Sequence, residues 1–435
     1  MISRKRLRLI ADYFAAIRNE VAVDEMFLAL SKKNAAEVGY FPRVPRWIGL
    51  ARRKPYLTRI GSRVARVLWL YGGAALFFIA EYLKIGRLHR LSDVDNSAES
   101  EGTILGFSSR VADIITPLQF PAFPRTWLTF PWVSIHRLPE GAKELPLLSL
   151  LDKRDLLRAL GDAMIATQRF KRDEHLSFWV LQTYTAFRWF LARRAVDKLN
   201  GSLVTAEHYD RWAVLADRAT RESRRSRNNR EHLIIVQHGA MGTLNQDRHP
   251  SNLLLNLPTR LHQVDELHVY NSDEATVFRT SVLAPGAASR KPTVHFFRPG
   301  IRLQDAGNSD KPRLLFVGHP LCEVFQAEVF RKLKAWKQLD IYYKPHPKAP
   351  MSASMAAFEW QIIKEADIFP SVDLLVSYPS TLVMEYEGLG IAASVHSLDA
   401  SMEALCPFVE EIQRTIEYQL LERRRAQEAG TSAIH

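Results

Sequence analysis

The chain has 435 residues, 47% apolar and 24% charged, a balance that excludes wholesale disorder and leaves room for two domains. Its two cysteines, Cys322 and Cys406, exclude a disulfide framework and fit a reducing compartment. The formal charge of +12 points to an anionic partner such as nucleic acid, anionic lipid or a charged substrate.

Residues 1–100 read as helices joined by basic loops. Met1 to Arg8 carries positive charge, but Asp12 interrupts the apolar stretch that follows and no small-residue cleavage site appears, so a signal peptide is not expected. Val67 to Ala80 is the most apolar segment. At 14 residues it falls short of the roughly 20 that a spanning helix needs. Two readings stay open: a buried helix, or an in-plane membrane contact in which Trp69, Tyr71, Phe77 and Phe78 enter the interface and flanking arginines meet anionic lipid. Asp93-Val94-Asp95, in a polar stretch far from the other motifs, reads as loop rather than as a metal-binding pair.

Thr103–Phe107 and Trp132–His136 read as strands. Between them, Pro117–Pro131 holds four prolines and is expected to be neither interior helix nor central strand. Asp152–Leu199 reads as one or two amphipathic helices. Short apolar runs then alternate with helical stretches: Ser202–Thr205, Leu233–Gln237, Glu266–Tyr270, Thr293–Phe297, Arg313–Val317, Asp340–Lys344, Leu374–Ser377 and Ile391–Val395. This alternation predicts parallel sheets covered by helices, an α/β class. The basic run Asp217–Arg230 reads as a solvated helix end, and no nucleic-acid-binding motif surrounds it. A boundary is placed near Gly307–Pro312. The expected regions are thus 1–100 (basic, membrane-proximal), 101–306 (acceptor-binding), 307–406 (donor-binding) and 407–435 (helix and tail).

Three constellations carry chemistry. Lys344-Pro345-His346-Pro347 follows an apolar strand, at the carboxyl end where open α/β sheets bind ligands. The prolines stiffen the loop, and an imidazole can donate a hydrogen bond to phosphate, with Lys344 adding a charge; the alternative is a rigid turn with a surface histidine. Ser380-Thr381 also follows a strand, at the start of a helix that carries Glu385 one turn on and ends near Gly390. Hydroxyls and amides at such a start can hold an anion, and Glu385 can accept from ribose hydroxyls; an ordinary N-cap is the alternative. Finally, Gln237-His238-Gly239 ends a strand. His238 is placed to take a proton from an acceptor hydroxyl, and Gly239 allows close backbone approach; a hydrogen-bonded loop histidine is the alternative. Gly318-His319-Pro320 repeats the His-Pro pair and, with Arg298, is a further candidate. No Walker loop, zinc-protease helix or hydrolase nucleophile elbow occurs.

The pattern of His346-Pro347, then Ser380-Thr381, Glu385 and Gly390, resembles the C-terminal domain of GT-B fold transferases that use cytidine-activated donors: capsule-polysaccharide Kdo transferases, bacterial sialyltransferases of that fold, and CDP-glycerol glycerophosphotransferases. His238-Gly239 and Asp210-Arg211-Trp212 resemble the same group. Where the sialyltransferases carry an acidic pair followed by Gly, this chain has Asp273-Glu274-Ala275 in a setting that suits a helix start. The resemblance implies two Rossmann-like domains facing a cleft, with extra N-terminal helices. It implies His346, Ser380 and Thr381 on donor phosphate, Glu385 on ribose, and His238 as base. The implied activity is glycosyl transfer from a nucleotide-activated, CMP-linked donor to a polysaccharide or lipid-linked acceptor, without cofactor or metal, at the inner face of a plasma membrane. Transfer of a polyol phosphate, or a non-catalytic role in envelope assembly, are the alternatives.

Overall fold

The computed structural model describes residues 3–30, 39–42, 54–91, 102–109, 111–118, 124–135, 138–173, 176–227, 232–239, 241, 256–285, 291–298, 300–305, 311–346, 351–365 and 368–432. Pro347, Asp93, Asp95 and Gly307 lie outside the described residues.

Seven strands, β1 (Gly102–Leu105), β2 (Thr126–Thr129), β3 (Lys143–Pro146), β4 (Ser202–Thr205), β5 (Leu233–Val236), β6 (Val264–Val269) and β7 (Thr293–Phe296), form one sheet. Its order is β3-β2-β1-β4-β5-β6-β7, and every pairing is parallel. Then come β8 (Leu303–Gln304), β9 (Arg313–Val317), β10 (Asp340–Lys344), β11 (Gln361–Ile362), β12 (Phe369–Pro370), β13 (Leu374–Ser377) and β14 (Ala392–Val395). Five of these make a second parallel sheet, β11-β10-β9-β13-β14, and β8 pairs with β12. The strand β8, which precedes Gly307, pairs with β12, which follows it.

The sheets follow from the sequence pattern. Central strands such as Leu-Ile-Ile-Val in β5 are buried along their whole length, as parallel strands covered on both faces must be. Helices begin where side chains satisfy their first amides. Asp152 and Asp155 form a reciprocal capping box at Lys153–Arg172, and Asn271 accepts from the Glu274 amide at 2.9 Å to start Ser272–Val277. Gly390, at φ +80°, lets the chain leave Thr381–Glu387 and enter β14.

Two expectations are corrected. Thr126–Thr129, within the proline-rich stretch, is an interior strand; it fits between Pro124 and Pro131, while Trp132–Ile135 lies outside any strand. The strand β3 ends on Pro146 at a sheet edge, where a missing amide costs no ladder bond. The basic run is solvated only in part: Arg225 and Ser226 are exposed, whereas Arg218 and Arg221 are turned inward. It continues the helix Arg211–Arg227, and Arg218 and Arg221 reach Asp12 at 3.6 and 3.2 Å, joined there by Arg193 at 3.4 Å. The same Asp12 that breaks the N-terminal apolar stretch thus pins the helix Arg4–Leu30 to the sheet's helical cover.

Val67–Ala80 divides between the two readings. Helices Pro55–Leu68 and Ala74–Leu91 join through a π-turn in which Gly72 takes φ +133°. The whole run Tyr56–Arg90 has the length and composition to cross a membrane. One stripe packs on the large core instead. Phe78 is fully buried, the Trp69 indole donates to Thr183 Oγ1 at 2.8 Å, and Glu81 pairs with Arg188. The opposite stripe is open, with Tyr71 81% exposed and Leu76 71%. Phe78 is therefore core, and the exposed apolar set runs along both helices.

Candidate functional site

In open parallel sheets ligands bind beyond the carboxyl ends, where the strand order reverses. In the first sheet that point lies between β1 and β4, and in the second between β9 and β13. The candidate residues gather at or beside these two points.

On the first sheet, β4 delivers Glu207 and His208, and β5 delivers His238. The two imidazoles lie 4.1 Å apart, centroid to centroid. The His238 amide donates to His208 Nε2 at 2.8 Å, and His238 Nδ1 bonds the Ala206 carbonyl. A carbonyl can only accept, so Nδ1 carries the proton and the basic lone pair sits on Nε2. Burial, followed by the neighbouring His238 ring, pushes His208 well below the ordinary histidine range, against the pull of its bond to the Val236 backbone. His208 is thus a neutral, buried prop that fixes the backbone of His238.

Glu274 props the same loop from β6's side. It accepts from Gln237 Nε2 at 2.8 Å and from the Met241 amide at 3.1 Å. It is buried and acts as a fastener. Asp210 caps the helix after β4, accepting from Trp212 and Ala213 amides at 2.9 and 3.0 Å. Burial, then Glu207 and Glu20, push its carboxyl well above the usual range.

On the second sheet, β9 ends in Gly318-His319, β10 in Lys344-Pro345-His346, and β13 in Ser377 to Thr381. His319 is buried, with its ring 5.2 Å from His346 and 5.3 Å from Tyr378. Phe27 of the N-terminal helix stacks on it at 6.3 Å. Gly318 is a packing requirement, because a Cβ there would run into the Tyr343 hydroxyl. Ser380 occupies the N-cap position without making a cap bond; its hydroxyl lies 3.0 Å from Ser377 Oγ. The ordinary N-cap reading of Ser380 therefore does not describe it.

Lys344 is placed differently from expectation. Its ammonium donates to the Glu365 and Ile368 carbonyls at 2.8 Å each and sits over the Phe369 ring. The charge is used inside the fold, clamping the stretch before β12, and not on a ligand phosphate. Arg298 is exposed on the chain between β7 and β8.

The two carboxyl-end clusters meet. A Cβ built on Gly239 would stand 3.8 Å from Thr381 Oγ1, so the His238-Gly239 turn faces the Ser380-Thr381 turn. Beside it, Asn271 Nδ2 approaches Met384 Sδ at 3.9 Å. Burial, then the Glu385 and Glu274 carboxyls, push the Tyr270 hydroxyl up, so Glu385 lies within electrostatic reach of Tyr270. The sequence marks neither His208 nor Tyr270; each follows a strand end, the one available signal.

Burial pushes Glu385 up to about 7. A carboxyl raised in the folded state contributes stability below its unfolded value, near 4.5, and loses that contribution as pH rises through 7. Between pH 5 and 8 the native protein should lose about 1–3 kcal/mol more than Glu385→Gln does, in urea melts of both. Parallel pH profiles would show that the side chain is solvated.

The fold is Rossmann-like α/β, with the candidate residues at the carboxyl ends of two parallel sheets. No family model matches the chain, and no curated protein matches it.

Proposed function

We propose that the chain is a glycosyltransferase of the GT-B kind, moving a sugar from a CMP-linked donor to a lipid-linked or polysaccharide acceptor at the cytoplasmic face of a membrane. The observation that carries this reading is the approach of Gly239 to Thr381. It brings a histidine with its basic nitrogen defined to the hydroxyl-bearing turn of the other sheet. In the reaction, His238 Nε2 takes the acceptor hydroxyl's proton as that oxygen bonds the anomeric carbon. The bond from that carbon to the donor phosphate breaks, and CMP leaves with the electron pair. His346, Ser380 and Thr381 stabilise the leaving phosphate by hydrogen bonds, and Glu385 accepts from ribose hydroxyls.

A thermal-shift panel of CMP, CDP, UDP and GDP tests the reading. The cytidine nucleotides should raise the melting point by mass action. His346→Ala should weaken cytidine nucleotide binding roughly 10–100-fold in calorimetry, the loss of one charge-assisted hydrogen bond. No shift with any nucleotide, or unchanged affinity in the variant, would sink the donor assignment.

The exposed stripe on Tyr56–Leu88 supports membrane docking. Tyr56, Leu57, Val64, Leu68, Tyr71 and Leu76 are open to solvent, interleaved with exposed Arg59, Arg63, Lys84, Arg87 and Arg90. Such a face inserts side chains at the acyl boundary while its cations meet anionic headgroups. The protein should float with anionic liposomes at low salt and lose much of that binding as the Debye length shrinks from about 10 Å at 0.1 M to 3 Å at 1 M. Failure to float at low salt would reject docking without touching the donor site.

A further inference from the structure

A second cluster of chemistry-bearing side chains lies outside the transfer site. Glu266 and His268 are two residues apart on β6, so they share one face of the sheet. His295 on β7 stands directly opposite His268 in the parallel register. One carboxylate oxygen, Glu266 Oε2, lies 3.6 Å from His268 Nε2 and 3.7 Å from His295 Nε2. The three donor atoms all fall within 4.8 Å of one another, and the two rings stack at 4.6 Å with 18° between planes.

These separations are informative. A direct imidazole–carboxylate hydrogen bond spans roughly 2.7–3.2 Å, and both contacts here are longer. Ligands held about 2.1 Å from a tetrahedral ion stand about 3.4 Å from each other, close to the 3.6 and 3.7 Å that separate Glu266 Oε2 from the two imidazole nitrogens. The His268 side chain is 3% exposed, whereas Glu266 and His295 are 32% and 41% exposed. The site therefore has a dry floor and an open mouth through which an ion and a completing water can enter.

We infer that Glu266, His268 and His295 bind one divalent transition-metal ion of the zinc class. Two imidazoles and a carboxylate suit such ions better than Mg²⁺ or Ca²⁺, which prefer all-oxygen sets. The sequence alone raises no expectation of a metal, because the third ligand arrives only through the pairing of β6 with β7. The ion acts as a clip. The strand β7 is an edge strand with a largely uncovered face, and the metal ties it to β6. In turn, the His268 carbonyl accepts from the Gln237 amide at 2.9 Å, one residue before His238.

The test uses the full chain, stripped with chelator and titrated with Zn²⁺ in calorimetry and with Co²⁺ in visible absorption. The native chain should take up one equivalent of zinc and give Co²⁺ ligand-field bands. His295→Ala and Glu266→Gln, both at solvent-accessible positions, should each weaken zinc binding at least about 10-fold and abolish or shift the bands. Zinc should raise the melting point of the native chain and leave that of His295→Ala unchanged. Absence of zinc uptake by the native chain, or native affinity in both variants, would overturn the site. Should His295→Ala fold poorly, Glu266→Gln alone decides, since it keeps the shape of the side chain and removes the charge. None of these readouts depends on the transfer reaction.

Discussion

His238→Ala should lower turnover by roughly 10²–10⁴-fold, the span that a positioned general base contributes, while leaving cytidine nucleotide affinity close to native. The asymmetry follows from where the side chain sits. His238 belongs to the first sheet, and the residues proposed for donor phosphate belong to the second. Its imidazole sits one residue before Gly239, which approaches Thr381, on a turn whose backbone is fixed by His208, with Nδ1 committed to the Ala206 carbonyl. Alanine keeps the backbone amide, and with it the bond to His208, so the turn should survive the change. Equal losses in binding and turnover would mean that His238 contacts donor; native turnover would remove it from the chemistry. His208→Gln gives a second reading. An amide side chain can still accept from the His238 amide, so it should cost less than His208→Ala, and both should act on kcat rather than on nucleotide affinity. A pH–rate profile displaced by His208→Ala would separate a positioning role from a purely structural one.

Much of the fold was legible in the sequence, for a definite reason. Parallel strands buried on both faces read as short apolar runs, and Arg313–Val317, Asp340–Lys344 and Leu374–Ser377 coincide with β9, β10 and β13. The strands that escaped notice are peripheral or proline-flanked. Thr126–Thr129 is four residues between two prolines, too short for periodicity to speak, and Lys143–Pro146 has one buried side chain. The fate of charge was less legible. Lys344 follows a strand in the way a phosphate ligand would, yet its ammonium is held by carbonyls more than twenty residues later in the chain. Arg218 and Arg221 look solvated because Asp12, their partner, is some two hundred residues distant. Composition reports charge, but only tertiary pairing reports whether that charge is available. The same limit applies to His208 and Tyr270, whose importance lies in neighbours contributed by other strands.

Arg211 is the largest such case, and its removal should be the most destabilising single change in the first domain. It opens the helix after β4, next to the cap Asp210, and its side chain is 4% exposed. Its Nε donates to Glu20 at 3.2 Å and Nη1 to the Gln182 carbonyl at 3.1 Å. Further bonds run to Thr185 Oγ1 and Gln182 Oε1, and the Arg211 carbonyl accepts from the Trp189 indole at 2.9 Å. One guanidinium thus joins the N-terminal helix, the Ser177–Thr185 turn and the strand end that bears His208. Burial disfavours its charge, but Glu20 with the Tyr184 and Tyr13 hydroxyls outweighs that and raises it further. Removing one partner of a buried pair costs about 3–5 kcal/mol, because the other charge is left behind. Arg211→Met should therefore lower stability by that amount and the melting point by about 5–10 °C. The acidic groups beside it make the effect testable by a cycle. With Arg211 gone, Glu20 and the Glu207–Asp210 pair repel one another, so adding Glu20→Gln to Arg211→Met should restore part of the loss. If the two changes add without coupling, the guanidinium holds its three segments by packing alone, and the charge on Glu20 contributes nothing.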